Sequence, residues 1–500
     1  MRTFCFNTFL ILFSISSLFA QELKLGSPFQ EHMVLQRNMP LAIWGEAAPN
    51  AKVTIHLGKD VTSTIANVDG EWQANLPSRK AGGPYGFTVN SGAASVKFSD
   101  VMVGEVWICA GQSNMAMQYK NIPEILKLEA SAKNIRTFEI QRTVAFKEQK
   151  YLQGEWKIGN PSSAVAFSFA YFLEQAADIP VGIILTAWGS SSIEGWMPRN
   201  MTEKLPHFEA IMANFDADTL KQERIIEILK KGMDRTTKED IFLRTQPNVI
   251  YNAMLKPLAP LSCRGLVWYQ GEANATSIKK MAQYGETLPL WVEQLRKLWD
   301  NEYFQFLGVT LPGFVGKKNA DKNPAPENPD DVSWAWMRES QYKILKLPYT
   351  QMVTTIDLGE MFNIHPKDKL PIGKRLALLA QKAVLDSTVM ADGPSLKNLE
   401  ISGNSIIVNY NDSIGLKTVE GKMPTAFWLA DESGNWYKAK AKVNGQSVVL
   451  NSSKVKKPLY VRYAFSAKPE VNLVNSVGLP ARPFRTDDFE PKIPNTTTRK

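Results

Sequence analysis

The run Val106-Trp107-Ile108-Cys109-Ala110-Gly111-Gln112-Ser113-Asn114-Met115 begins as unbroken apolar chain and stops at a turn of small and polar residues. From Val101 to Cys109 the residues read as a strand buried on both faces, because a covered sheet interior calls for a continuous apolar run rather than an alternating one. Gly111 and the polar trio after it break the strand where a helix can begin. Such a turn lifts the Ser113 hydroxyl above the carboxyl end of a sheet, the edge at which open α/β sheets bind ligands. Ser113 is thereby a candidate nucleophile, although the same residues also describe a plain helix cap.

Outward from this strand, residues 101–387 alternate between strand and helix patterns. Ala164 to Ala177 is apolar at helical spacing, ends at Asp178-Ile179-Pro180 and feeds the strand Val181 to Leu185. Arg264 to Tyr269, Phe304 to Leu311 and Gln351 to Asp357 are further strands, with helices expected from Tyr284 to Trp299 and from Gly373 to Leu385. Strand then helix, repeated, predicts a mostly parallel sheet covered on both faces. Asp216 to Asp240 is highly charged and reads as a solvent-facing helix, while Lys147 to Asn160 and Gly316 to Asp331 read as loops.

The flanks have a different texture. Val34-Leu35, Leu41 to Trp44, Val53 to Leu57, Thr62 to Ile65 and Phe87 to Asn90 are short strands, with turns at Gly45, at Asp69-Gly70 and at Gly82-Gly83-Pro84. After Pro394 the pattern returns in Ser405 to Tyr410, Ala426 to Leu429, Ser447 to Leu450 and Leu459 to Tyr463, with a hairpin turn over Asp431 to Asn435. The expected organisation is a signal peptide over 1–20, a small β-sandwich over 22–99, an α/β domain over 100–390, a second β-sandwich over 394–487 and a loose tail over 488–500. No internal repeat of 20 to 50 residues is present.

Length and composition agree with that division. Five hundred residues exceed one ordinary core, and 44% hydrophobic with 21% charged residues are globular values. The net charge of +9 is modest, and its Lys and Arg residues form no block or nucleic-acid motif. Nucleic acid is excluded as the expected partner, and an anionic small substrate is favoured. Arg2, the apolar run from Phe9 to Phe19 and Ala20-Gln21 read as an export signal cut after Ala20, since the run is shorter than the ~20 residues a span needs. The mature protein is expected in the periplasm or outside the cell, with no membrane partner. Cys5 belongs to the signal, leaving Cys109 and Cys263, which read as small core residues and neither a disulfide framework nor a metal site.

Several core strands end in turns of small or polar residues. Thr186-Ala187-Trp188-Gly189-Ser190-Ser191-Ser192-Ile193-Glu194-Gly195-Trp196 offers a glycine amide suited to an oxyanion. Trp268-Tyr269-Gln270-Gly271-Glu272-Ala273-Asn274 brings amides and a carboxylate to the same edge. Leu358-Gly359-Glu360 leads to Ile364-His365-Pro366. A serine needs an adjacent base to act as a nucleophile, and of the four histidines, His32, His56, His207 and His365, only the last follows a core strand. A surface-loop role remains open for it, as does a purely structural role for Glu272 and Glu194 in bonding neighbouring loops. Trp188, Trp196, Trp268, Trp334 and Trp336 lie near these turns, and one or two of them are expected to meet a sugar ring.

Together these motifs resemble the SGNH hydrolase superfamily, in particular its sialate O-acetylesterase branch. The resemblance runs through Gly111-Gln112-Ser113-Asn114-Met115, through Gly189 with Ser192 to Trp196, through Trp268 to Asn274 and through Ile364-His365-Pro366 with Lys369, Gly373 and Arg375-Leu376-Ala377. It extends to Tyr251-Asn252-Ala253-Met254, to Trp336 to Gln341 and to the closing Gly478 to Asp487, so nearly the whole mature chain is covered. It implies a flavodoxin-like mostly parallel sheet, Ser113 as nucleophile and His365 as general base. By the same resemblance the backbone amides of Ser113 and Gly189 and the side chain of Asn274 form an oxyanion hole, with no metal or cofactor.

One position departs from the pattern. The superfamily places an Asp three residues before the histidine, and here that position is Phe362. Asn363, a backbone carbonyl or an acid such as Glu272 could orient the imidazole instead, and Gln270 joins Glu272 and Asn363 as a residue that orients the site or meets the substrate. The resulting expectation is a serine esterase that removes O-acetyl groups from sialic acids, with Arg338 and Arg375 as cations able in principle to meet the substrate carboxylate. Deacetylation of a plant polysaccharide such as xylan is the enzymatic alternative. A non-catalytic carbohydrate-binding surface protein is the alternative of another class. The oligomeric state is left open.

Overall fold

The computed structural model describes residues 23–233, 240, 242–316 and 327–490. The expected signal peptide over 1–20, most of the loop over 316–331 and all but the first three residues of the tail over 488–500 lie outside them.

The central sheet runs in the order Gly154–Ile158, Ile135–Ile140, Val181–Ala187, Ala94–Gly111, Gly265–Tyr269, Gln305–Val309, Thr350–Val353. All neighbours are parallel except the first pair, in which Gly154–Ile158 is antiparallel to Ile135–Ile140. Later strands are laid down on both sides of Ala94–Gly111, so the chain reverses its direction of travel at the strand that ends in Gly111. That is where a crevice opens at the carboxyl edge of an open sheet.

Side-chain alternation puts helices on both faces. Trp268 pairs with Ala110, so it shares a face with Ile108 and not with Trp107. On one side Trp107 meets Phe169 of the Ala164–Ala177 helix edge to face at 5.6 Å. On the other, Trp268 meets Trp291 of the Ile278–Leu298 helix at 4.5 Å. The Leu370–Val384 helix lies on the first face against Ala164–Ala177, so closely that a Cβ on Gly373 would come within 2.2 Å of Ser168 Cβ.

The first flank is not set apart from this sheet. Ala94–Gly111 is one strand of 18 residues across the boundary expected at 99 and 100. Its first half pairs with Gly82–Ser91, Val34–Gln36 runs beside Met102 to Gly104, and its second half is the centre of the core sheet. Residues 94 to 100 are exposed or half-buried, while from 103 onward every residue is buried. A strand that changes from one-sided to two-sided cover changes its hydrophobic period midway and so reads as two elements. Gly82-Gly83-Pro84, expected as a turn, opens the Gly82–Ser91 strand, whose register shifts between Gly82 and Tyr85.

Two further expectations are corrected. Lys147 to Asn160 is not all loop, because Gly154–Ile158 closes the sheet as an edge strand. Its partner Ile135–Ile140 escapes sequence reading because Arg136 and Glu139 break the apolar run; Arg136 is bound to Asp100, and Glu139 Oε1 accepts from Ser162 N at 2.7 Å. In the charged segment after Asp216, Thr219–Lys231 is helical with Ile225 and Ile228 turned inward. At the C-terminal end, Ser395–Ser402, Ser405–Asn411, Ser447–Asn451 and Lys440–Asn444 form one sheet, and Tyr437–Lys438, Phe427–Ala430, Tyr460–Tyr463 and Phe484–Arg485 another. Ile406, Val408 and Val448 of the first and Leu429, Val461 and Tyr463 of the second share one apolar core. Cys109 and Cys263 are buried and unpaired. No helix among the described residues is long and apolar enough to cross a membrane.

Candidate active site

The turn after the central strand is held by backbone geometry. Gly111 has φ +142°, and a Cβ there would lie 2.2 Å from Tyr269 O of the adjacent strand, so no side chain fits. Gln112 N donates to the same carbonyl at 3.0 Å, and the short helix Ser113–Ala116 starts directly after it. The side chain of Gln112 turns back over the neighbouring loop, where Oε1 accepts from Gln270 Nε2 at 3.2 Å, Ala273 N at 3.3 Å and Gly271 N at 3.4 Å. One glutamine thereby joins the first and third of the strand-end turns.

Ser113 and His365, 252 residues apart in sequence, meet here. Ser113 Oγ lies 2.8 Å from His365 Nε2, within reach for proton transfer. Among the described residues nothing hydrogen-bonds to His365 Nδ1. Asn363 Oδ1 accepts from the backbone N of His365 at 3.0 Å, and its Nδ2 donates to Glu360 Oε2 at 3.1 Å, so Asn363 shapes the loop rather than the ring. Desolvation of the ring, and after it the charge of Lys369, holds the imidazole below its ordinary pKa.

Gly189 stands against the serine. A Cβ on Gly189 would lie 3.4 Å from Ser113 Cβ, and neither the amide of Gly189 nor that of Ser113 donates to any group among the described residues. Arg142 Nε donates to Ala187 O at 2.9 Å, and Arg244 Nε donates to Gly189 O. The two guanidiniums come close at this turn. Arg142 is exposed and Arg244 buried, and burial, then the charge of Arg142, lowers the pKa of Arg244. Neither residue stands out in the sequence, because Arg142 follows a strand that its charges conceal and Arg244 sits in the short turn Leu243–Thr245 after a charged segment.

Asn274 completes the same edge. Its Oδ1 accepts from Ile193 N at 3.1 Å and from Gln270 Nε2 at 2.8 Å, and its Nδ2 donates to Glu194 Oε2 at 3.1 Å. Gln270, fully buried, thus organises Asn274 instead of facing solvent. Glu272 is also buried and does not bond the histidine. Its Oε1 accepts from Asn114 Nδ2, its Oε2 has no partner among the described residues, and burial raises its pKa.

The structure places two motif residues in the site to which the sequence assigned no role, Asn114 and Lys369. Asn114 is fully buried beside the serine; its Nδ2 also donates to Ile364 O at 3.0 Å, and its Oδ1 accepts from Lys369 Nζ at 2.6 Å. Lys369 has no exposed surface, and burial pulls its pKa down to about 8. The two arginines considered for a substrate carboxylate lie elsewhere. Arg338 is fully buried and donates to Pro312 O and Ser466 O, while Arg375 binds Asp357 and Thr354 O. Trp188, Trp196, Trp268 and Trp336 are buried, and Trp334, half-buried, lies against Phe314 at 4.6 Å. No group of three His, Cys, Asp or Glu among the described residues is arranged to hold a metal ion.

Comparison with known proteins finds relatives over most of the chain. The family model described as carbohydrate esterase, sialic acid-specific acetylesterase, matches residues 103–231 and 235–381. Sialate O-acetylesterases of Rattus norvegicus and Homo sapiens are each 26% identical to the chain, covering 92% of it and 94% and 92% of their own lengths. A crystal structure of a carbohydrate acetylesterase from Xanthomonas citri matches with a TM-score of 0.79 at 28% identity, over 93% of this chain and 100% of that one.

Proposed function

The chain belongs to the carbohydrate esterase family of sialic acid-specific acetylesterases, and from that membership we propose that it removes O-acetyl groups from sialic acid with Ser113 as nucleophile and His365 as base. It is a carboxylic ester hydrolase by its family and its relatives. The observation that carries the finer reading is the 2.8 Å approach of Ser113 Oγ to His365 Nε2 beside two backbone amides that have no acceptor among the described residues.

In the proposed course, Ser113 Oγ attacks the acetyl carbonyl carbon as His365 Nε2 takes its proton. The carbonyl oxygen becomes an oxyanion, received by the amides of Ser113 and Gly189 and by Asn274 Nδ2. Each such donor contributes roughly 3 kcal/mol to the barrier reduction because it is aimed before the charge develops. Collapse breaks the bond to the sugar oxygen, which leaves with the proton from His365, and the acetyl group stays on Ser113. Water then attacks the acetyl carbon, gives its proton to His365, and acetate departs as Ser113 recovers its hydroxyl proton. The imidazole alternates between neutral and charged forms without an acid on Nδ1 among the described residues. A weaker orienter slows such a pair without abolishing it, since the oxyanion hole acts independently.

An anionic sugar is favoured by the positive charge of Arg142, an exposed residue whose Nε is held on Ala187 O at the Gly189 turn. The decisive assay is acetate release from O-acetylated sialic acid, with acetylated xylan in parallel, by wild type and Ser113→Ala. Turnover of sialate that disappears in a folded Ser113→Ala protein supports the reading. Full activity in that variant overturns the mechanism, xylan-only turnover moves the substrate to a neutral polysaccharide, and sugar affinity with no turnover makes the protein a binder.

A further inference from the structure

The base at this site has no acid behind it among the described residues, yet its loop is tied down on both sides of the histidine by one side chain. Asn114 follows the nucleophile on the same turn. Its Nδ2 donates to Ile364 O, the carbonyl just before His365, at 3.0 Å, and its Oδ1 accepts from Lys369 Nζ, four residues beyond His365, at 2.6 Å. The segment 364–369 is a short loop with both ends on Asn114, and the imidazole projects from it onto Ser113.

The chemistry of the partners fixes which way the amide of Asn114 points. An ammonium can only donate, so it selects Oδ1. A carbonyl and a carboxyl oxygen accept, so Ile364 O and Glu272 Oε1 select Nδ2. All three partners agree, and reversing the amide would break every bond at once. The cost of this arrangement is two ionisable groups out of water, Lys369 and Glu272, whose pKa values burial moves toward their neutral forms. An ammonium held out of water at such a cost calls for a role, and the one Lys369 has here is its bond to Asn114.

We infer that Asn114, clamped between Glu272 and Lys369, is a positioning residue for His365: it locks the histidine's loop to the nucleophile turn by backbone and so sets the ring where an acid on Nδ1 otherwise would. Asn363 is the second anchor, bonding the backbone N of His365 from the outer side of the loop. The charge of Lys369 acts on the ring as well as on the loop, and it is itself faced by Glu272, Asp368 and Glu360 and by the ring of Tyr269 at 5.4 Å.

This inference rests on Ser113 and His365 being the reacting pair, and its test is kept distinct from theirs. Asn114→Asp preserves the acceptor for Lys369 and the shape, but it cannot donate to Ile364 O. Steady-state kinetics on 4-nitrophenyl acetate are expected to show kcat lower by about 100-fold with KM within twofold, the scale of loss for a reacting group misplaced by about 1 Å. Lys369→Met removes a cation facing the ring, so the acid limb of its kcat/KM profile moves to higher pH, a shift that loss of packing alone would not produce. If Asn114→Asp does not fold, Asn363→Ala on the outer side reads the same effect, with kcat down about fivefold and KM unchanged. Folded Asn114→Asp or Asn363→Ala with wild-type kcat, or an unmoved acid limb in Lys369→Met, overturns the positioning role while Ser113→Ala remains dead. An active Ser113→Ala overturns the reacting pair itself.

Discussion

The backbone amide of Ile193 donates to Asn274 Oδ1 at 3.1 Å, and that one bond fixes the orientation of the Asn274 amide, leaving Nδ2 for the proposed oxyanion hole. A backbone N–H can only donate, so Oδ1 must be the atom it meets; Gln270 Nε2 at 2.8 Å reinforces the choice, and Nδ2 is left as the donor. Nδ2 carries two hydrogens, one engaged by Glu194 at 3.1 Å. Asn274→Ala is expected to lower kcat by about 10²- to 10³-fold with a small change in KM, because the lost donor matters most once the oxygen is charged. Asn274→Asp keeps the acceptor for Ile193 and supplies no donor, so it should not rescue. Steady-state kinetics check both, and a kcat for Asn274→Ala within threefold of wild type would remove Asn274 from the oxyanion hole.

The pH profile follows from the direction in which the base is shifted. In the proposed mechanism His365 must be neutral to accept the Ser113 proton, so kcat/KM is expected to rise with pH as the imidazole loses its charge. Desolvation and the Lys369 charge hold that pKa below the ordinary histidine value of 6.5, so the enzyme keeps activity further into the acid range than a free imidazole allows. A kcat/KM profile on a neutral acetyl ester whose acid-limb midpoint lies above 6.5 would contradict this electrostatic account.

How far the site could be read without coordinates depends on what each residue does. Ser113 is a candidate because an apolar strand stops abruptly before it, and His365 because only four histidines compete for the role of base and it alone follows a core strand. Gly189 is a candidate as a glycine in a turn that closes a buried strand, whereas Asn274 takes its candidate role from the family resemblance. Asn114 and Lys369 belong to the motifs that carry the resemblance, but no role could be read for either, and only the meeting of segments 255 residues apart reveals that both are buried and bonded to each other. The fold divides in the same way. The Ala164–Ala177 helix has the bounds its apolar spacing predicts, whereas Ile135–Ile140 depends on partners for the charges that interrupt it.

Arg142 offers a way to ask whether charge selects the substrate. Its Nε is fixed on Ala187 O, so the head group is held in place at the turn that carries Gly189. Arg142→Ala is expected to reduce the preference for O-acetylated sialic acid over a neutral acetylated sugar by about tenfold, near 1.4 kcal/mol, at the low end for a charge-assisted bond because the group is exposed. The ratio of kcat/KM values at low and high salt is the measurement. A ratio unchanged by the substitution and by salt would assign recognition of the carboxylate to another part of the surface.

Stability toward acid should depend on a pair far from the chemistry. Arg462 Nε and Nη2 hold Asp487 at 2.9 and 2.7 Å, with both side chains almost fully buried, and Arg462 also donates to Pro329 O. Burial alone would raise the Asp487 pKa, but the hydrogen bonds and charge of Arg462, helped by Arg485, bring it below its ordinary value of 3.8. A depressed carboxyl pKa contributes stability that is complete above the unfolded value and is lost as pH falls toward the folded one. Arg462→Met leaves the buried carboxylate with only the 3.3 Å contact to Arg485 and the amide of Phe489, and should cost about 3 kcal/mol at neutral pH, the low end for breaking a buried pair. Its deficit should shrink in acid, where Asp487 can take a proton. Urea unfolding of wild type and Arg462→Met at neutral pH and at a pH below 3.8 separates the outcomes, since an equal deficit at both would mean that Arg462 acts by packing on the Trp436 ring, 4.4 Å away, and not by charge.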